Sequence, residues 1–149
     1  MRVKRKKLIV ALTMLVLIGV PLGIVYQRSL HHAQLGKSRA KLRSHLQALF
    51  VYAGNNRDQL PSADRWPDAL IEEGMLYDYL MESEYHDAPG DAYVYVEGVE
   101  LFAPDKIMVY ENVGHWREGV LTGFADGHVE MLPHDEFNRL LAEQALESP

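Results

Sequence analysis

Nineteen consecutive residues without a charge, Leu8–Tyr26, constrain this chain more than any other feature of it. At about 1.5 Å per residue, a helix of that length reaches roughly 28 Å, close to the hydrocarbon thickness of a bilayer. Gly19, Pro21 and Gly23 fall inside the run. Membrane helices tolerate all three, with a kink expected at Pro21. Arg2, Lys4, Arg5, Lys6 and Lys7 stand before the run with no acid among them. By the positive-inside rule such a tail stays cytoplasmic and the remainder of the chain crosses. Arg28 alone opposes that orientation. The competing reading is a cleaved signal peptide, whose apolar core is usually about 7–15 residues and ends at a small-x-small site. This run ends in Ile24, Val25, Tyr26, Gln27 and Arg28. The expectation is therefore a retained single-pass anchor, with a basic tail over 1–7 and a transmembrane helix over 8–26.

Charge divides the chain a second time. Residues 27–57 hold Arg28, Lys37, Arg39, Lys41, Arg43 and Arg57 and no acid. All 21 acidic residues lie from Asp58 onward, against only Arg65, Lys106, Arg117 and Arg139, so the net charge of −6 conceals a basic half and an acidic half. Nucleic-acid binding needs a basic footprint, and the acidic part argues against it; cations or a basic protein surface suit it better. Cysteine is absent, which excludes a disulfide framework, a thiolate zinc site and a cysteine nucleophile.

Behind the apolar run, Leu35, Leu42, Leu46, Leu49, Phe50 and Ala53 recur at three- and four-residue steps, the mark of one apolar stripe on a helix. That predicts a helical stalk over 27–53, stopped by Gly54, Asn55 and Asn56. A loop follows, then a short helix over PDALIEE that begins at Pro67 and closes at Gly74. Residues 75–82 are expected to make a further helical turn, and HDAPGD a loop. The period then falls to two. Ala92–Glu97, Lys106–Glu111, Gly119–Ala125 and His128–Leu132 read as strands, the last two joined at Asp126-Gly127, a favoured hairpin pair. Asp135–Leu146 closes the chain as an amphipathic helix. The predicted class is α+β: a long N-terminal helix packed on a small antiparallel sheet, with a C-terminal helix and a head over 54–149 that makes one domain with the stalk.

Several strings within this organisation resemble the pilin-like (pseudopilin) proteins of type II secretion and type IV pilus systems. The nearest group is the bacterial prepilin-type family with a His-x9-Asp-Gly signature. Tyr52, Ala53, Asn55, Asn56, Leu60 and Pro61 resemble that family's stalk end, and Trp66 with DALIEEGML its next helix. Phe124, Ala125, Asp126, Gly127, His128, Val129 and Glu130 resemble its most characteristic string. The similarity spans roughly residues 35–132. His115 precedes Asp126 by ten intervening residues, one more than the signature, and Ala88-Pro89 stands where the family often has Cys-Pro. The family's prepilin-peptidase site and the acid within its apolar run are both missing. The resemblance implies a non-enzymatic subunit in the bacterial inner (cytoplasmic) membrane with a periplasmic or extracytoplasmic head. Its partners would be the lipid bilayer and other pilin-like subunits or secretion components, with no nucleic acid.

Residue types with chemical capacity are few. Asp126, His128 and Glu130 alternate, so in a regular strand they share a face. With His115 they would offer the mixed nitrogen and oxygen ligands that zinc accepts; a plain hairpin turn is the simpler account. Asp87, Asp91, Asp105 and Asp126 would supply oxygen ligands for calcium, without EF-hand spacing. No serine sits in a nucleophile elbow and no phosphate-binding glycine loop is present, so no cofactor and no catalytic residue is assigned. Tyr93, Tyr95 and Tyr110 are read as strand packing, with an exposed aromatic patch as the alternative. Lys37, Arg39, Lys41 and Arg43 on the stalk are candidates for attracting acidic heads of neighbouring subunits. Two other readings remain: a membrane-tethered extracytoplasmic metal-dependent enzyme built on His115, Asp126 and His128, and a solitary adaptor domain.

Overall fold

A computed structural model describes residues 2–77, 80–81, 92–112 and 116–147, without the side chains of residues 2–22 and Ile24. Helix α1 (Arg2–Asn55) comes first, then the short helix α2 (Asp68–Glu72). Strands β1 (Tyr93–Tyr95), β2 (Ile107–Glu111), β3 (Val120–Phe124) and β4 (Val129–Leu132) follow, and helix α3 (His134–Glu147) closes the order. The class is α+β, as the change of period from 3.6 to two implies. The strands form one antiparallel meander in sequential order.

The chain divides into two units, residues 1–36 and 37–149. In the first unit the backbone is helical from Arg2. Most of the expected membrane span has side chains outside the described residues; among the described residues no helix is long and apolar enough to cross a membrane. Val25, Tyr26 and Leu30 are exposed. The second unit begins at Lys37, and among the described side chains of α1 the first to be fully buried is Ser38.

In the second unit the stripe on α1 becomes one wall of the core. Leu42, Leu46, Leu49 and Ala53 are buried, in the steps of three and four that carry one helix face. The same face touches one side of the sheet. The His45 ring packs on Tyr93 with centroids 4.3 Å apart. A Cβ on Gly123 of β3 would lie 2.9 Å from Leu46 Cδ1 and 3.2 Å from the Val109 carbonyl oxygen. Glycine there lets the helix approach the sheet as closely as it does. On the opposite side, Ile107, Val120, Phe124 and Leu132 pack with Phe137 of α3. All five residues of β3 are buried, since helices cover both of its faces.

Two turns set the register of these layers. At the end of α1, Arg57 and Asp58 both take left-handed backbone angles (φ 58° and 62°), and the Asp58 N–H donates to the Ala53 carbonyl at 2.8 Å. The reversal satisfies a carbonyl that the helix end would leave open, and it falls where the last residue of the basic stretch meets the first acid. After α2, Gly74 (φ 70°) does the same, with the Met75 N–H on the Leu70 carbonyl at 2.8 Å. Of the turn expected over 75–82, the Leu80 N–H donates to the Tyr77 carbonyl; residues 78, 79 and 82 and the HDAPGD loop lie outside the described residues.

Among the described residues the sheet has one register shift. It falls between Ile107 and Val109 where β2 meets β3, and the Gln144 side chain of α3 bonds the backbone of Ile107 at one end of the shift. Its Oε1 accepts from the Ile107 N–H and its Nε2 donates to the Ile107 carbonyl, both at 2.9 Å. A side-chain amide thus stands in for a strand neighbour and ties α3 to β2.

Candidate functional site

The Asp126-Gly127 string is a tight turn between β3 and β4. Asp126 Oδ1 accepts from the His128 backbone N–H at 3.0 Å and lies 2.5 Å from its ring Nδ1. The backbone hydrogen bond, then the ring contact, hold the Asp126 carboxyl below its usual pKa. Gly127 has φ 94°, and a Cβ there would stand 3.1 Å from Phe50 of α1. Glycine therefore answers two demands, the positive φ and the ring beside it. Phe124 and Ala125 are buried, and the Phe124 ring stacks on His128 at 4.1 Å; Val129 is half-buried and Glu130 exposed. The string reads as fold chemistry throughout.

Two members of the expected metal triad fall within the described residues. Asp126 and His128 meet, but on each other. His115 lies outside the described residues, as do Asp87 and Asp91 among the calcium candidates. Among the described residues no three histidine or acidic side chains form a group able to hold a metal ion. Asp105 is exposed. Of the tyrosines, Tyr93 and Tyr95 are buried and Tyr110 packs edge-on against Phe137 at 4.9 Å. They are strand-packing residues, and the exposed aromatic surface lies elsewhere.

Two buried polar groups sit between α1 and the sheet. Glu111 is fully buried at the end of β2. Its Oε1 accepts from the Ser38 hydroxyl at 3.2 Å and its Oε2 from the Trp116 indole N–H at 2.5 Å. His45 is also fully buried, between Tyr93 and Trp66. Neither ring nitrogen has a hydrogen-bond partner among the described residues. Burial, then the charge of Lys41 one turn away, lowers its pKa to about 4, so the ring is neutral at ordinary pH. Sequence reading overlooked both groups. The signal was present for Ser38 and His45, which continue the three- and four-residue steps of the apolar stripe.

Two surfaces of opposite charge remain. Arg39 and Arg43 are exposed on α1, as is Lys37, while Lys41 is half-buried. An i, i+4 spacing sets Arg39 and Arg43 on one ridge. The second surface is a cleft of about 740 Å³ whose lining includes Asp58, Tyr95, Glu97, Glu100, Leu101 and Phe102. Phe102 is 73% exposed in a left-handed conformation (φ 67°), held by its N–H on the Ala125 carbonyl at 2.9 Å. Its ring stacks on Phe50 at 5.8 Å with planes 3° apart. An exposed, non-glycine residue at positive φ is unusual, and this one presents an aromatic face beside carboxylates.

Set against models of protein families, curated proteins and solved structures, the chain matches none of them.

Proposed function

We propose that this chain is a non-enzymatic, membrane-anchored, pilin-like subunit of a secretion or pilus-like assembly. Its first helix would be held in the cytoplasmic membrane of a bacterium, with the basic tail inside and the head outside. The observation that carries the reading is the order of parts along one element. Helix α1 contains the uncharged run Leu8–Tyr26 behind five basic residues and then the buried stripe Leu42–Ala53. A four-stranded antiparallel meander and a closing helix complete the head. Function on this reading is association: an apolar stem in lipid and a head that displays charged and aromatic surface.

The test is fractionation of cells expressing the full chain, followed by intact mass measurement of the extracted protein. Retention in the membrane after alkaline wash, with residues 1–7 still attached, is the expected result. A soluble product that begins after Tyr26 would overturn it.

A further inference from the structure

The cleft and the arginine ridge belong to the same chain, and their chemistry is complementary. Asp58, Glu97 and Glu100 are exposed at the cleft. Asp58 and Glu100 make no ion pair among the described residues. Tyr95, also in the lining, is 8% exposed and its hydroxyl has no hydrogen-bond partner among the described residues. The Phe102 ring stands open at the same place. Carboxylates flanking an open aromatic face suit one cation better than any other, the planar guanidinium, which stacks on rings and pairs with carboxylates in a fork.

Arg39 and Arg43 supply that group twice on one helical ridge. They too make no ion pair among the described residues, and no acid occurs anywhere in residues 27–57 to neutralise them. Other arginine-rich segments share this chemistry. The chain's own acid-free stretch has it at a concentration equal to that of the cleft, so the occupant is taken to be a second copy.

We propose that the cleft beside Phe102 receives the Arg39–Arg43 ridge of a second copy of this chain, an inference that rests on the subunit role given above. The guanidinium groups reach Asp58 and Glu100, and the Phe102 ring offers a stacking face. Opposite charges steer the encounter and select the register.

The experiment uses the full chain in detergent micelles and measures self-association by sedimentation at low salt. Asp58→Lys with Glu100→Lys is expected to weaken association at least tenfold, and Arg39→Glu with Arg43→Glu by a similar factor. Combining the four reversals is expected to restore association to within a few-fold of the unaltered chain. Phe102→Ala, a truncation at an exposed position, is expected to weaken association while leaving the urea midpoint in place. It decides the question if a reversed variant folds poorly. Unchanged association in the Asp58/Glu100 and Phe102 variants would overturn the proposal, as would failure of the combined reversals to restore it. Capture of the cleft by a different basic protein, seen with a photo-crosslinker placed at residue 102, would overturn the choice of a second copy. These results leave the subunit role standing. That role fails separately, if the unaltered chain neither stays in the membrane nor associates with any protein.

Discussion

His45 shows what one buried side chain costs. Its folded pKa of about 4 lies below the ordinary value of 6.5. Between those values the unfolded chain binds a proton that the folded chain refuses. Stability is therefore independent of this group above pH 6.5, falls as pH drops from 6.5 towards 4, and falls no further through it below that. The depressed pKa corresponds to a loss of roughly 3 kcal/mol at most. Urea unfolding of the 37–149 unit within the full chain, at pH 7.5 and at pH 4.5, is expected to show this loss, and His45→Phe to remove most of the difference. Gly127 makes a second prediction. Gly127→Ala forces a methyl group to φ 94° and against the Phe50 ring, so it is expected to destabilise by about 1–2 kcal/mol. Pairing it with Phe50→Leu is expected to relieve the contact and leave the backbone strain, which a double-mutant cycle separates. The turn itself was legible, because Asp-Gly between alternating strands has a local cause. Phe50 as the second reason for the glycine was not, since it comes from a helix more than seventy residues away in sequence.

Among elements, periodicity carried most of the information. The four strands and α3 lie within a residue or two of where alternation and helical spacing put them, because each has one face that must be buried. What periodicity could not reveal is how the layers are tied together. Gln144 reads as one more polar residue on α3, yet it supplies both hydrogen bonds to Ile107 at the register shift. Gln144→Leu leaves a buried N–H and a buried carbonyl without those bonds, which is expected to cost about 2 kcal/mol. Gln144→Glu loses the donor and buries a carboxylate oxygen against the Ile107 carbonyl, so at neutral pH it is expected to shift the urea midpoint at least as far as leucine does. Glu111 has the same lesson for α1. An acid at the end of a strand looks solvated in sequence, and here it is a buried acceptor for Ser38 and Trp116. The exposed Phe102 was equally hidden, because its position depends on a left-handed residue and on Phe50 from another element.

At the scale of the whole molecule, the division of charge was plain from the first reading, whereas the cleft that gathers part of the acidic half required the fold. If charge drives association, raising salt from 50 to 500 mM is expected to weaken it several-fold, since exposed pairs are screened over a few ångströms at the higher value; an association held by apolar stems alone is expected to hold or strengthen. The basic ridge and the acidic cleft are different patches of one surface, and that difference has a geometric consequence. Two copies can pair reciprocally, each ridge in the other's cleft, which has a two-fold axis and is complete at two, or through a single ridge-to-cleft contact that leaves one cleft and one ridge open. The single, heterologous contact either closes into a ring at a number set by its rotation or continues as an open series. Only the open series carries polarity, with a free Arg39–Arg43 ridge at one end and a free Phe102 cleft at the other; the reciprocal pair and the ring leave no end.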